Sequence, residues 1–385
     1  MRRLALVASL LLALLALSPV PALAQNTVTV PPIDFSGWLF GNFQWRTDPA
    51  SKAASGGLPA SRFDVGRAYL TFRMPAGERG SIRVTTDIFQ QSPSTYYSGW
   101  TVRLKYGYFQ YDFTKNLLGV SGLGAVGRVG MIQAVIVDHI ENFWPRWLGS
   151  AAQELNGFYS SADVGVSSLV TLPKRHGEMY AVITNGSNYS SGETDRFKDF
   201  GLRVSLTPFG NDSSFLRTLT ISPFYQVGAA GSAFAAPPNS ISGGLQKDRR
   251  GVFVGLRDRR LQGGAEFSQR VEQVESGVPP ARTVLDRTSN LVSGFAIVRP
   301  LEIANPAHRS PFSIVGRVDK FDSYSRNTGL PAAVTIPDNT YVVLGFIWDV
   351  NARASLALDY QEMKAETTVT GIPTKTLFLH WQATF

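Results

Sequence analysis

Apolar and polar positions alternate with a period of two along most of this chain. Ile82, Val84, Thr86 and Ile88 oppose Ser81, Arg83, Thr85 and Asp87, and Phe200, Leu202, Val204 and Leu206 oppose Asp199, Gly201, Arg203, Ser205 and Thr207. Ala354, Leu356, Leu358 and Tyr360 likewise oppose Ser355, Ala357, Asp359 and Gln361. The last ten residues keep the rhythm, with Leu377, Leu379, Trp381, Ala383 and Phe385 on one face and Thr376, Phe378, His380, Gln382 and Thr384 on the other. Successive side chains of a strand point to opposite faces, so the pattern predicts strands that are apolar on one side and polar on the other. Sixteen strands are expected, starting near residues 35, 62, 81, 100, 125, 162, 177, 198, 217, 250, 261, 287, 312, 340, 354 and 375.

The connections alternate in length. Met74–Gly80, Pro173–His176, Arg259–Arg260 and Val350–Arg353 are short, with Pro208–Phe215 and Pro300–Pro311 somewhat longer. Between them lie Asp48–Ser61, Gly186–Phe197, Ala229–Arg249, Glu272–Asp286, Asp322–Asn339 and Met363–Thr374, while Gln133–Ser161 is the longest. An even strand number with short turns at one end and long loops at the other is the rhythm of a transmembrane barrel. A ten-residue closing strand matches the roughly 9–11 residues that cross a bilayer at a tilt. An open sheet edge is forbidden in lipid, so the final strand is expected to pair with the first, near Phe35 to Arg46, with Phe385 at the periplasmic rim. This aromatic ending resembles the terminal signature of bacterial outer-membrane β-barrels. The expectation is one all-β domain over 25–385, a transmembrane antiparallel β-barrel in the bacterial outer membrane.

The amino terminus bears on the compartment. Arg2 and Arg3, an apolar run from Leu4 to Leu17 and Ala22-Leu23-Ala24 before Gln25 read as a signal peptide over residues 1–24. Removing those 24 residues from 385 leaves 361, and the loss of two arginines lowers the formal charge from +8 to +6. No segment approaches 18 consecutive apolar residues, which excludes a spanning helix. Absence of cysteine fits an exported chain without disulfides or thiolate metal sites. The basic balance suggests anionic partners, yet no nucleic-acid motif is present. Membrane lipids and lipopolysaccharide are the expected surroundings. A soluble periplasmic β-protein binding a ligand could show the same alternation, and heat-modifiable gel mobility would separate it from a barrel.

Several segments, taken in order, are similar to the phosphate-selective porin O/P family. They are Phe63-Asp64-Val65-Gly66-Arg67-Ala68-Tyr69-Leu70, Gly80 to Asp87, Ser161-Ala162-Asp163-Val164-Gly165-Val166, Tyr180 to Gly186, and Lys198-Asp199 through Arg203 to Thr207-Pro208-Phe209. The resemblance implies a homotrimeric, sixteen-stranded channel passing small anions such as phosphate. In general porins the third loop folds into the lumen and sets the pore size, and the same is expected of Gln133–Ser161. The best-known family members carry lysines near the constriction, whereas Arg146 is the one basic side chain of this loop other than His139. That departure puts phosphate specificity in question.

Parity assigns Arg67, Arg83, Arg103, Lys105, Arg128, Arg203 and Arg317 to the lumen as pore-lining, anion-binding candidates, with Asp87, Glu266, Asp319 and Asp359 as inward acids. Arg67 and Arg128 share parity with Val65 and Val126. They are still placed inward, because a basic side chain facing lipid at the midplane costs about 2–4 kcal/mol. A positive lumen concentrates anions, and the planar guanidinium suits phosphate and carboxylate. The competing role for each arginine is an ion pair that stiffens the wall. The third loop contributes constriction candidates Asp138, His139, Glu141 and Arg146. Adjacent residues without a second histidine make a poor metal motif, so no metal or cofactor is expected. Trp38, Trp45, Tyr69, Trp100, Tyr106, Tyr108, Tyr341, Trp348, Tyr360 and Trp381 are candidates for interfacial girdles. No nucleophile elbow or zinc-protease motif occurs. A passive channel is expected rather than an enzyme; the alternative is a barrel enzyme or adhesin with a plugged lumen.

Overall fold

In lipid, strands with this alternation can satisfy every backbone group only by closing the sheet on itself. The computed structural model describes residues 32–91, 99–114, 119–193, 195–231, 244–278, 281–323, 338–365 and 375–385. The expected signal peptide lies outside them. The strands are β1 (Asp34–Arg46), β2 (Ala60–Pro75), β3 (Gly80–Gln91), β4 (Gly99–Thr114), β5 (Gly124–Gln133), β6 (Ala162–Thr171), β7 (Gly177–Thr184) and β8 (Asp199–Leu206). They continue with β9 (Thr220–Val227), β10 (Leu245–Arg257), β11 (Leu261–Val278), β12 (Ala281–Val298), β13 (Phe312–Asp322), β14 (Asn339–Asn351), β15 (Ala354–Ala365) and β16 (Lys375–Thr384). A two-residue segment, Ala229–Ala230, prolongs β9 past Gly228 in the same register against β10, so the seventeen strand segments form sixteen strands.

Each strand pairs antiparallel with its neighbour, and β1 pairs with β16 from Trp38↔Thr384 to Arg46↔Thr376. Gly37 and Phe385 exchange backbone hydrogen bonds of 2.9 and 3.1 Å. The Phe385 ring lies over Gly37, its nearest atom 2.1 Å from where a Cβ would stand, so a side chain at position 37 would have to displace the ring. Fourteen of the sixteen strands begin within three residues of the positions read from the sequence; β10 and β12 begin earlier, at 245 and 281. The stretch Glu272–Asp286, expected as a loop, is instead a hairpin paired from Glu272↔Arg287 to Val278↔Ala281. Its polarity belongs to strands with polar residues on both faces, secured by the Glu272–Arg287 ion pair.

Burial along the wall is the inverse of a soluble barrel. Large apolar side chains such as Phe200, Leu202, Val292, Leu344, Phe346 and Leu358 are exposed on the exterior, while Asp87, Ser222, Ser268, Asp319 and Asp359 are buried inside. Two β-bulges switch which face a residue number occupies. One, between β1 and β2, makes Gly66 the extra residue, so Arg67 and Tyr69 turn inward although Phe63 of the same parity faces out. The other, between β3 and β4, makes Lys105 the extra residue. Exposed positions on β4 accordingly change from Val102 and Leu104 to Phe109, Tyr111 and Phe113. Not all of the aromatic girdle candidates lie on the exterior. Tyr69, Tyr106, Tyr108 and Tyr341 are buried side chains on the inner face, and Trp38 donates to Gln382 and packs on Tyr69 and Phe40. Trp45, Trp100 and Trp348 remain exposed.

Candidate permeation site

The third loop carries enough apolar surface to leave water, and inside a barrel the only apolar surface to meet it is on the wall. It forms short helices α1 (Val137–Glu141) and α2 (Ala152–Leu155), with a 3-10 turn at Arg146–Leu148 between them. Ile136, Val137, Ile140, Phe143, Trp144, Trp147, Leu148 and Phe158 are buried in one cluster with Phe253, Leu291, Phe295, Val315, Phe321, Val343 and Ile347 of β10 and β12–β14. The loop thus folds into the lumen and packs against one side of the wall. These inner apolar positions were legible as apolar residues on both strand faces, for example Val252-Phe253-Val254 and Val342-Val343-Leu344.

Wall side chains hold the loop by its backbone. Arg203 donates to the carbonyl of Val135 at 2.8 Å, Arg317 to Ser150 at 2.7 Å, Arg270 to Gly157 at 2.9 Å and Gln361 to Leu148 at 2.8 Å. Gln262 donates to Phe143 at 2.5 Å, and Arg249 donates to the Phe158 carbonyl. Short irregular segments leave carbonyls unpaired, and burial demands partners for them. Arg317 is consequently 2% exposed, paired with Asp319 at 2.7 Å and stacked on Trp144. It lies on the inner face but beneath the loop.

The loop leaves a crescent open along β1–β9. Three adjoining cavities of about 440, 640 and 250 Å3 occupy it, all bordered by Asn142. The first is lined by Arg83 and Lys105 on the wall and by Asp138 and Glu141 on the loop, so charges of opposite sign face one another. Arg128 and Arg203 line the smallest with Glu178. Aromatic rings support these cations: Arg83 over Tyr106 at 4.6 Å, Lys105 over Tyr69 at 4.4 Å and Arg128 over Tyr108 at 5.3 Å. Arg67 and Arg103 flank Asp87 at 2.7 and 2.9 Å, and Arg103 lies between the rings of Phe89 and Tyr189.

Among the described residues, Arg83, Lys105 and Arg128 form no carboxylate ion pair. Arg83 donates to Thr85 at 3.0 Å and Arg128 to Gln110 at 2.9 Å, partners that leave their charge uncompensated. Arg203 is paired with Glu178. The four loop candidates separate. Asp138 accepts from Tyr106 at 2.6 Å and Glu141 pairs with Arg146, which also holds Glu154 at 2.6 Å and Tyr69 at 3.0 Å. His139 turns to the other wall and bonds Ser222 at 2.9 Å. Burial, with the Arg203 charge adding to it, lowers the His139 pKa to about 3. Glu178 stands 4.0 Å away and would oppose that, but Arg203 already neutralises it. Sequence reasoning missed Glu178 and the inward Tyr106 and Tyr108; the change of apolar parity after Leu104 was the available signal for the two tyrosines.

No protein-family model matches the chain, and no curated protein matches it. Solved structures do. The outer-membrane channel DcaP of Acinetobacter baumannii superposes with a TM-score of 0.62 at 12% identity over 93% of this chain and 99% of that one. OprB of Pseudomonas putida gives 0.59 at 10% identity over 92% and 94%. An anion-selective porin from Comamonas acidovorans gives 0.53 at 10% identity over 92% and 99%. The fold is that of the outer-membrane porins and channels. At these identities the likeness is one of fold alone. The apolar exterior and closed sheet suit lipid, and they place the barrel in the bacterial outer membrane.

Proposed function

We propose that this chain is a passive diffusion channel for small solutes, biased to anions such as phosphate, and not an enzyme. The observation that carries the reading is the crescent left by the third loop, lined by Arg83, Lys105, Arg128 and Arg203. Three of those four cations lack a carboxylate partner among the described residues. Cations held by aromatic rings and neutral acceptors keep their field for a passing solute, and a row of moderate sites permits release. Arg67 and Arg103 share one carboxylate, Asp87, and so add to the excess. Arg317 contributes to loop anchoring rather than to solute contact. Membership of the phosphate-selective O/P family and assembly as a homotrimer are proposals that rest on the ordered segment resemblance. Crosslinking of the detergent-folded protein tests the trimer.

Planar-bilayer recording tests the channel. An open single-channel current is expected, with a reversal potential under a KCl gradient that makes chloride more permeant than potassium. Arg83→Ala and Arg128→Ala should each reduce that ratio. A closed barrel would instead support an enzyme or adhesin with a plugged lumen, and a cation-preferring current would overturn the anion bias.

A further inference from the structure

The largest of the three cavities opens at the short-turn end, where its rim is arginine-rich. Arg175 comes from the β6–β7 turn, Arg217 from the β8–β9 connection and Arg257 from the end of β10. None of the three forms a carboxylate ion pair among the described residues. Among the described residues, the one carboxylate lining the cavity, Glu178, is committed to Arg203. Hydroxyls of Thr171, Thr207 and Thr220 complete the rim. Like charges brought together without counter-charges repel, and a fold keeps such an arrangement only where something else holds it.

The backbone does that here. Lys174 and Arg175 both adopt left-handed conformations, with φ of 53° and 60°, which non-glycine residues seldom occupy singly. The strained turn is clamped by the bond from Thr207 N–H to the His176 carbonyl at 2.8 Å. It also rests on Gly210, where an added Cβ would stand 2.1 Å from the Arg175 carbonyl oxygen. Two neighbouring turns are thus shaped to each other, and one outcome is that Arg175 joins Arg217 and Arg257.

We propose that this mouth is a binding site for a small multivalent oxyanion, a molecule with phosphate or carboxylate groups in at least two places. Three guanidinium groups offer paired donors to several oxygens at once, whereas a monovalent anion can use only one of them. The site deepens the channel reading, on which its role as an exit station rests, but binding itself does not require conduction.

The test uses the full chain, reconstituted in a planar bilayer, with tripolyphosphate, citrate or acetate added to one side at a time. The chain has no cysteine, so a single Ser213→Cys change and an impermeant thiol reagent report orientation. Block of chloride current by tripolyphosphate and citrate is expected at about tenfold lower concentration from the short-turn side than from the loop side. Acetate should show no such asymmetry. Combined Arg175→Gln, Arg217→Gln and Arg257→Gln should abolish the asymmetry while an open current persists, and Arg217→Gln alone should weaken it if the triple variant folds poorly. Equal block from both sides, equal potency of acetate, or asymmetry surviving the substitutions would overturn the site. Absence of any current would overturn the channel reading instead. Calorimetric titration of the detergent-folded protein with tripolyphosphate would then decide the site, binding lost in the variants supporting it and no binding refuting it.

Discussion

Two arginines of similar parity do different work because of what lies over them. Arg83 borders a cavity and touches a hydroxyl and a ring, whereas Arg317 is sealed beneath the loop and forks onto Asp319. Truncating Arg317 leaves Asp319 charged, buried and without its cation, which costs about 3–5 kcal/mol for a buried pair. Arg317→Ala should therefore lower the urea midpoint of the folded barrel and make the open current noisier, while Arg83→Ala should leave the midpoint nearly unchanged and alter selectivity. His139 gives a pH dependence whose sign is fixed by burial. Its pKa falls from an ordinary 6.5 to about 3, so the docked loop prefers the neutral ring. That contribution is fully present above about pH 6.5 and is lost as pH falls toward 3. Current noise should rise as pH is lowered through that window, and a His139→Asn channel should show a smaller rise.

At the level of elements, the third loop behaves as a small core inside the barrel. Trp144 is 1% exposed, edge-on to Phe295 and under Arg317, and donates to the Gly149 carbonyl at 2.8 Å. Replacing a buried tryptophan with alanine typically costs about 3–5 kcal/mol. Because the loop is a local unit, most of that loss should appear as undocking. Trp144→Ala should raise mean conductance and its variance in single-channel records, with the β-sheet signal in circular dichroism retained. The strands were legible because lipid and lumen impose opposite polarity on alternate residues. The loop's docking was legible only in outline. Its apolar content showed in Ile140, Phe143, Trp144 and Trp147, but its partners Phe253, Phe295 and Val343 sit on strands whose two apolar faces mask alternation. The site blurred for another reason. One extra residue at Lys105 reverses the face of everything after it, which moved Tyr106 and Tyr108 from the exterior to the crescent. A bulge is a matter of pairing between strands, and within β4 it shows as the change of apolar parity after Leu104.

The whole molecule turns on the exterior being lipid-facing, and that property can be tested apart from any current. Phe346 sits next to Gly345 near the middle of β14 and is 63% exposed, among the most open large apolar side chains of the wall. In water such exposure across an entire barrel would drive aggregation. In a bilayer the same side chains are solvated by acyl chains. Phe346→Arg places a charge where hydrocarbon should be, at a cost of about 2–4 kcal/mol for a midplane position. Urea titration of the protein folded in phospholipid vesicles should show that loss. A change such as Ser355→Asn on the inner face leaves the exterior untouched and should show far less of it. The contrast must depend on the solvent of the exterior. In a detergent micelle, which deforms and admits water more readily than a bilayer, the Phe346→Arg penalty should shrink. A penalty that is equal in micelle and bilayer would mean that Phe346 faces protein rather than lipid, which would mark β14 as part of a subunit contact.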